Sequence, residues 1–248
     1  MEDIQDSISE LKNIFEEIKK MGWIRSKRTG STGIGYTFET LMNISENSLS
    51  VADFKGIEIK TKRESSNGYI TLFSCVPDGD YLFVLNELYE NFGYPNKEYP
   101  NFKSLNVSIF ANLETRIGYS KKFKLAVNEK KKKIYINAYN IQKKYYNNNT
   151  SWSFELIKTI IERKIKYLAY IKAYNKNIDG IEYFKYHNIT FYKFKNFQNF
   201  ILQIKKGKIR LSLKIGINKT KEKFGRIESH GCSFDIKEKD LDYIFQKL

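Results

Sequence analysis

Ile4, Ile8, Leu11, Ile14, Phe15 and Ile18 recur at intervals of three and four. That is the spacing of one helix face, and it predicts an amphipathic helix over 2–21 that Gly22 stops. Its apolar stripe reads as core packing. The run Gly30-Ser31-Thr32-Gly33-Ile34-Gly35 reads as a glycine-rich turn leading into a short helix that reaches about Ile44. There Thr32 is placed to cap, and Phe38, Leu41 and Met42 form the apolar face. Strands are predicted near 51–62 and 69–75, joined by Ser65-Ser66-Asn67-Gly68. Pro77-Asp78-Gly79-Asp80 opens a helix through Tyr89, and 91–101, with Pro95 and Pro100, reads as a loop. Strands follow near 104–111, 121–128 and 133–139, and Asn147-Asn148-Asn149-Thr150 interrupts the chain. Beyond it the pattern predicts a helix over 153–165, strands over 166–173 and 181–187, and a helix over 194–206. A strand over 208–217, a basic loop over 218–229, a short strand over 232–236 and a last helix over 239–247 complete the chain. The sum is one α/β domain over 1–248, a mixed β-sheet flanked by helices.

Chemistry concentrates in Ala52-Asp53-Phe54-Lys55-Gly56-Ile57-Glu58-Ile59-Lys60-Thr61-Lys62. Side chains alternate faces along a strand, so Ile57 and Ile59 enter a core while Glu58 and Lys60 share the other face. A carboxylate beside an ammonium, with Asp53 just upstream, can bind a divalent metal and position a water. Those are the needs of a metal-dependent phosphodiesterase. Equally, an exposed strand carries Glu and Lys as a solvated pair, so the eleven residues leave both readings open.

Lys and Arg number 43 against 28 Asp and Glu among 248 residues, a net charge of +15. This favours a polyanionic partner, although a Lys-biased proteome produces the same imbalance. Basic residues gather at Arg25, Lys27 and Arg28, where cations and turn N–H groups could grip phosphates, and again at Lys214, Lys219, Lys221, Lys223, Arg226 and His230. Either group also reads as an ordinary solvated basic loop, and His230 equally as a residue that caps its loop. Lys130 to Lys133 reads as a solvated hairpin tip with nonspecific attraction for DNA, and His187 as a strand-face residue. The aromatics interleaved with Lys over 183–197 suit half-buried faces better than base stacking. Cys75 and Cys232 offer neither a disulfide framework nor zinc spacing, and read as reduced thiols of a cytoplasmic protein. Two histidines cannot build a histidine cluster. No apolar leader and no run of about 18 apolar residues is present, which predicts no signal peptide and no membrane span.

The glycine turn with its helix, followed by Asp53, Glu58 and Lys60, resembles the MvaI/BcnI family of restriction endonucleases, relatives of the MutH mismatch-repair nickase. The likeness continues in Gly22-Trp23, Lys27-Arg28, Trp152-Ser153-Phe154, Lys166-Tyr167-Leu168-Ala169 and Ser229-His230-Gly231-Cys232-Ser233-Phe234. It implies a restriction-endonuclease-like (PD-(D/E)XK) core and two lobes with DNA between them. The catalytic lobe is expected over about 1–90 with later strands added, and the recognition lobe over about 100–248. By resemblance, Asp53, Glu58 and the carbonyl of Ile59 ligate Mg²⁺, with Mn²⁺ able to substitute, Lys60 handles the attacking water, and Glu39 tunes Lys60 or holds a second metal through water. The glycine turn with Arg25, Lys27, Arg28 and Thr32 contacts DNA phosphates, and Lys62 makes a phosphate contact or is simply solvated. Lys214, Lys221, Lys223, Arg226, Glu228, His230 and Asp235 fall in the base-reading strand and loop. The family pattern carries arginine, histidine and arginine at the positions of Lys214, Glu228 and Asp235, which leaves the recognised sequence open. The expected partner is double-stranded DNA at a short, G·C-rich, CCNGG-like site. The enzyme is expected to be a monomer in a prokaryotic cytoplasm, with a cognate methyltransferase encoded nearby. A MutH-like nickase or a silent DNA binder are the alternatives.

Overall fold

The computed structural model describes residues 4–43 and 52–248. In chain order the first elements are α1 (Ile4–Lys20), β1 (Ile24–Arg25), α2 (Gly33–Leu41), β2 (Ile57–Arg63), β3 (Tyr69–Ser74), α3 (Tyr81–Phe92), β4 (Tyr94–Pro95), β5 (Lys103–Ile109), β6 (Thr115–Ile117) and β7 (Lys121–Asn128). Next come β8 (Lys133–Asn140), β9 (Tyr145–Asn147), β10 (Ser151–Ser153), α4 (Phe154–Ile160), β11 (Tyr167–Ile178), β12 (Ile181–Phe194), α5 (Phe197–Lys205), β13 (Ile209–Ile217), β14 (Ile227–Lys237) and β15 (Phe245–Lys247). The chain divides into two compact units. The first takes Met1–Ile70, Ile160–Lys195 and Leu241–Leu248, and the second Thr71–Thr159 and Asn196–Asp240. The first unit draws on two later stretches of chain, and residues 71–90 fall in the second unit.

In the first unit a mixed sheet runs β1-β12-β11-β2, with β15 added on β12. β2 and β11 are parallel, Glu58 lying beside Leu168 and Lys60 beside Tyr170. Helices α1 and α2 pack on the face that carries Ile57 and Ile59. Leu11, Phe15, Ile18, Ile34 and Phe38 meet Ala169, Ile171, Phe184 and Tyr186 in one buried cluster. Burial of these apolar side chains is the main force holding the helices to the sheet. Tyr186 adds a directed tie, its hydroxyl donating to Ile34 O at 2.7 Å.

The second unit carries two sheets, β10-β8-β7-β6 with β9 on β8, and β3-β14-β13-β5-β4. Phe73, Phe200 and Phe234 pack against one another in its core. Trp152 is fully buried there and donates its indole N–H to Cys75 O at 3.0 Å. Cys75 and Cys232 are buried free thiols, and burial pushes Cys75 up to about 12, holding it protonated.

Several expected boundaries shift. The strand expected from 51 begins at Ile57, because 54–57 is a tight turn, and residue 51 lies outside the described residues, as do 2–3 and 44 at the ends of the first two helices. The helix expected over 153–165 ends at Ile160 and gives way to a π-helical turn, Ile161–Ile165. The expected basic loop is shorter, since β14 starts at Ile227. No helix forms over 239–247. A 3₁₀ turn, Glu238–Tyr243, leads into β15, where buried Phe245 pairs with Phe194 and packs edge-on against it. Burial of that ring against the sheet outweighs local helix preference.

Candidate active site

The spacing of Asp53 and Glu58 has a mechanical cause. Phe54 and Ile57 exchange backbone hydrogen bonds, N to O at 3.0 Å and 2.7 Å. Lys55 and Gly56 between them both take positive φ, 42° and 86°. Positive φ at both central residues defines a type I′ two-residue reversal. The turn sets Asp53 across from Glu58, where opposed side chains lie on one face. Asp53 Oδ2 accepts a hydrogen bond from Ile59 N at 2.9 Å along the outer edge of β2.

Glu58 is 1% exposed. Its Oε1 accepts from Lys60 Nζ at 2.5 Å, and Lys164 Nζ stands 3.7 Å from the same oxygen. Its Oε2 is buried and has no hydrogen-bond partner among the described residues. Burial pushes the carboxyl up to about 7, a rise that Lys60 opposes and the negative charge of Asp53 reinforces. An acidic oxygen held dry beside a second carboxylate and two ammonium groups is a costly arrangement, of the kind found at functional sites.

The structure thus brings Asp53, Glu58, Ile59 and Lys60 together. Glu39 comes from α2. Its Oε1 is 3.6 Å from where a β-carbon on Gly35 would lie, and Thr61 Oγ1 is 3.3 Å from the same point. Glycine at 35 therefore keeps the approach of α2 to β2 open. By strand alternation, Thr61 shares the face of Ile57 and Ile59, so Glu39 nears β2 on the helix side. Lys62 is buried at 8% exposure and donates to Gly68 O at 3.1 Å, fastening the turn after β2.

Two residues near the site escape sequence reading. Lys164 lies 106 positions after Glu58 and reaches it from the π-helical turn that precedes β11. Such turns are rare and gather at functional sites. Arg63, at the end of β2, donates Nε and Nη2 to the two carboxylate oxygens of Glu182 at 2.6 Å and 2.7 Å. It also donates to Ser31 O at 2.9 Å and Gly30 O at 3.0 Å, clamping the glycine turn to the sheet. Within that turn a β-carbon on Gly33 would come 2.4 Å from Arg28 O, so only glycine fits. Thr32 occupies the N-cap position but makes no side-chain cap bond. Arg25, Lys27 and Arg28 line a cavity of about 480 Å³ with Gly30, Asn177 and Gly180, and the Arg28 guanidinium lies 3.7 Å over the Tyr36 ring.

In the second unit, Lys214 is exposed on β13, beside Gly231 and Asn106 on the neighbouring strands. The pairing shifts register after Lys214, and His230 sits at that irregularity, its Nε2 3.2 Å from Ile217 O and packed over Gly216. Lys221, Lys223 and Arg226 are exposed, and Glu228 accepts from Asn218 Nδ2 at 2.7 Å. Asp235 is placed differently from the base-reading expectation. At 3% exposure it accepts from Ser212 Oγ at 2.6 Å, Ser233 Oγ at 2.7 Å, Thr71 Oγ1 at 3.1 Å and Arg210 Nε at 3.1 Å. A buried carboxylate with four donors organises the sheet interior.

Residues 12–245 match the MvaI/BcnI restriction endonuclease family. The chain belongs to that family. It is a type II restriction endonuclease, a site-specific nuclease that binds DNA. The solved complex of restriction endonuclease MvaI with its cognate DNA substrate aligns with a TM-score of 0.88 and 26% identity, over 97% of this chain and 96% of that one. MvaI solved in the absence of DNA aligns with a TM-score of 0.61 and 26% identity, over 100% and 99%. A search of curated proteins finds no match. No helix among the described residues is long and apolar enough to cross a membrane.

Enzymes of this kind use a divalent metal, and the endonuclease's residues fit one. No three His, Cys, Asp or Glu side chains converge among the described residues. The free Oε2 of Glu58 beside Asp53 instead matches a cation that takes one or two carboxylates and keeps its waters.

Proposed function

We propose that this endonuclease hydrolyses both strands of duplex DNA in a Mg²⁺-dependent reaction, with Asp53, Glu58 and Lys60 at its centre, leaving 5′-phosphate and 3′-hydroxyl ends. The buried, unpartnered Oε2 of Glu58 is the observation that carries this reading, since it supplies a coordination position already stripped of water. Asp53 and Glu58 would hold the metal. The N–H of Ile59 points to the outer edge of β2, and its carbonyl leaves the strand on the same edge, available as a third oxygen. When bound, the metal polarises the scissile phosphate and lowers the pKa of a coordinated water. Mn²⁺ substitutes, offering the same charge and taste for oxygen.

Lys60 sits within hydrogen-bond reach of Glu58, so it can orient the attacking water and balance charge that develops on the phosphate. The water-mediated role of Glu39 rests on the family resemblance alone, since it comes from α2 on the helix side of β2. The cavity bordered by Arg25, Lys27 and Arg28 beside the glycine turn offers cations and backbone N–H groups to flanking phosphates. Exposed Lys214, with His230 beside Gly216, is the base-reading candidate, and Lys221, Lys223 and Arg226 supply phosphate contacts. A CCNGG-like target, a monomeric enzyme in a prokaryotic cytoplasm, and a methyltransferase encoded nearby follow from the family resemblance.

Digestion of a long unmethylated DNA with Mg²⁺, against an EDTA control, followed by sequencing of the ends, tests the reading. Discrete fragments sharing one short terminal sequence are expected. Nicks alone would show a nickase, and bound but intact DNA would show a silent binder.

A further inference from the structure

The sheet β10-β8-β7-β6 of the second unit has one buried and one open face. Phe123, Leu125, Ile134, Ile136 and Ala138 point into the core. By alternation Lys124, Ala126, Lys133, Tyr135, Asn137 and Tyr139 point out. The register fixes who stands beside whom. Tyr135 lies between Ala126 on β7 and Ser151 on β10. Asn137 stands beside Lys124, and Tyr139 between Lys122 and Tyr146.

Small neighbours on both sides leave the Tyr135 ring as the floor of a cleft of about 540 Å³, the size of a small-ligand site. One end is closed by Lys131 and Lys133, the other by Asn137, Asn148 and Asn149. The side-chain amides of these three asparagines make no hydrogen bond among the described residues, and Lys124 and Lys131 have no acidic partner among them. Lys133 alone is engaged, 3.3 Å from Asp78. Tyr139 and Tyr146 continue the surface, ring centroids 6.5 Å apart. Along β8, Tyr139 stands four residues from Tyr135, about 13 Å at strand rise.

We propose that this face is a second nucleic-acid site, which binds unpaired nucleotides of a single strand. The Tyr135 ring presents a flat apolar surface for a base, the asparagine amides offer donors and acceptors to its edge, and Lys124, Lys131 and Lys133 take the phosphates. A duplex keeps its base faces stacked and would use the lysines alone. An acidic peptide has no use for a flat floor with amides at one rim. The inference is independent of the cleavage reading, because no residue of this cleft belongs to the Asp53–Glu58–Lys60 site.

The test is fluorescence anisotropy of a labelled 12-nucleotide oligothymidine strand, in EDTA, against a labelled hairpin duplex. The full-length protein is compared with Y135A, Y135F and a K124E/K131E variant, each checked by circular dichroism. The single strand is expected to bind. Y135A should weaken it on the order of 10-fold, the loss of one stacked base, while Y135F keeps it and the double variant weakens it further. Y135A should leave hairpin binding unchanged. Single-strand affinity equal in Y135A and wild type, or loss on the hairpin as large as on the strand, would overturn the proposal. Cleavage activity enters none of these comparisons, so a failure of the cleavage reading remains a separate result.

Discussion

Replacing Glu58 by glutamine should make the metal-free enzyme more stable while abolishing cleavage. Burial raises the folded-state value of this carboxyl from 4.5 to about 7. Its folded value therefore exceeds its unfolded one, and the ionised form is the one that the fold disfavours. The cost is absent below about pH 4.5, grows between there and pH 7, and is complete above. At roughly 1.4 kcal/mol per pH unit it amounts to about 3 kcal/mol. Glutamine keeps an oxygen for Lys60 and removes the charge. In EDTA at pH 8, E58Q should melt roughly 6–12 °C above wild type, taking about 2–4 °C per kcal/mol for a chain of this size. The gap should close to within about 2 °C at pH 5, where wild type carries its proton. Adding Mg²⁺ at pH 8 should raise wild type and leave E58Q unmoved, because the ion favours the charged carboxylate. Differential scanning calorimetry across this grid reads all three effects. An E58Q that melts at or below wild type at pH 8, or a gap that does not change with pH, would refute the reasoning.

Lys60→Ala should reduce cleavage by at least about 100-fold, the scale of one lost charge-stabilising group, while filter binding to duplex DNA in EDTA stays within a few-fold; cleavage at wild-type rate would remove Lys60 from the mechanism. Asp235→Ala leaves the Ser212, Ser233 and Thr71 hydroxyls without their acceptor and should cost about 2–4 kcal/mol in urea unfolding; an unchanged midpoint would show that water replaces the carboxylate. Lys214→Ala should weaken binding to the cleaved sequence by about 1–3 kcal/mol if it reads a base, whereas an equal loss on random DNA in a competition assay would make it a phosphate contact.

What could be read from sequence was whatever rests on local periodicity. Ile57 and Ile59 enter the core and Glu58 and Lys60 share the other face, as period two requires. The α1 stripe is buried at Leu11, Phe15 and Ile18. Features set by distant pairings were not legible. Lys164 reaches Glu58 only because β11 runs parallel to β2, which fixes where the preceding turn lies. Arg63 clamps the glycine turn through Glu182, 119 positions away. Asp235 falls at a base-reading position by resemblance until the register sets Ser212 opposite Ser233, two pairs along from Arg210 and Asp235. The I′ turn at Lys55-Gly56 carries a local signal in Gly56, but the positive φ of Lys55 departs from the usual Asn or Asp.

Asp53 has one more effect, on how molecules of the enzyme behave toward one another. β2 closes one margin of its sheet, and a bare margin of N–H and C=O groups is a template for a strand from another molecule. Here Phe54 occupies the backbone groups of Ile57, and Asp53 takes the N–H of Ile59. Asp53, proposed above as a metal ligand, thus also helps to seal the margin, and the charges of Glu58 and Lys60 stand beside it. Inactive variants made by neutralising Asp53 would therefore expose a strand that the native enzyme keeps covered. Preparations of such variants for crystallisation or DNA binding should be more prone to cross-β aggregation than the active protein, so conservative replacement at Lys60 is the safer way to silence cutting.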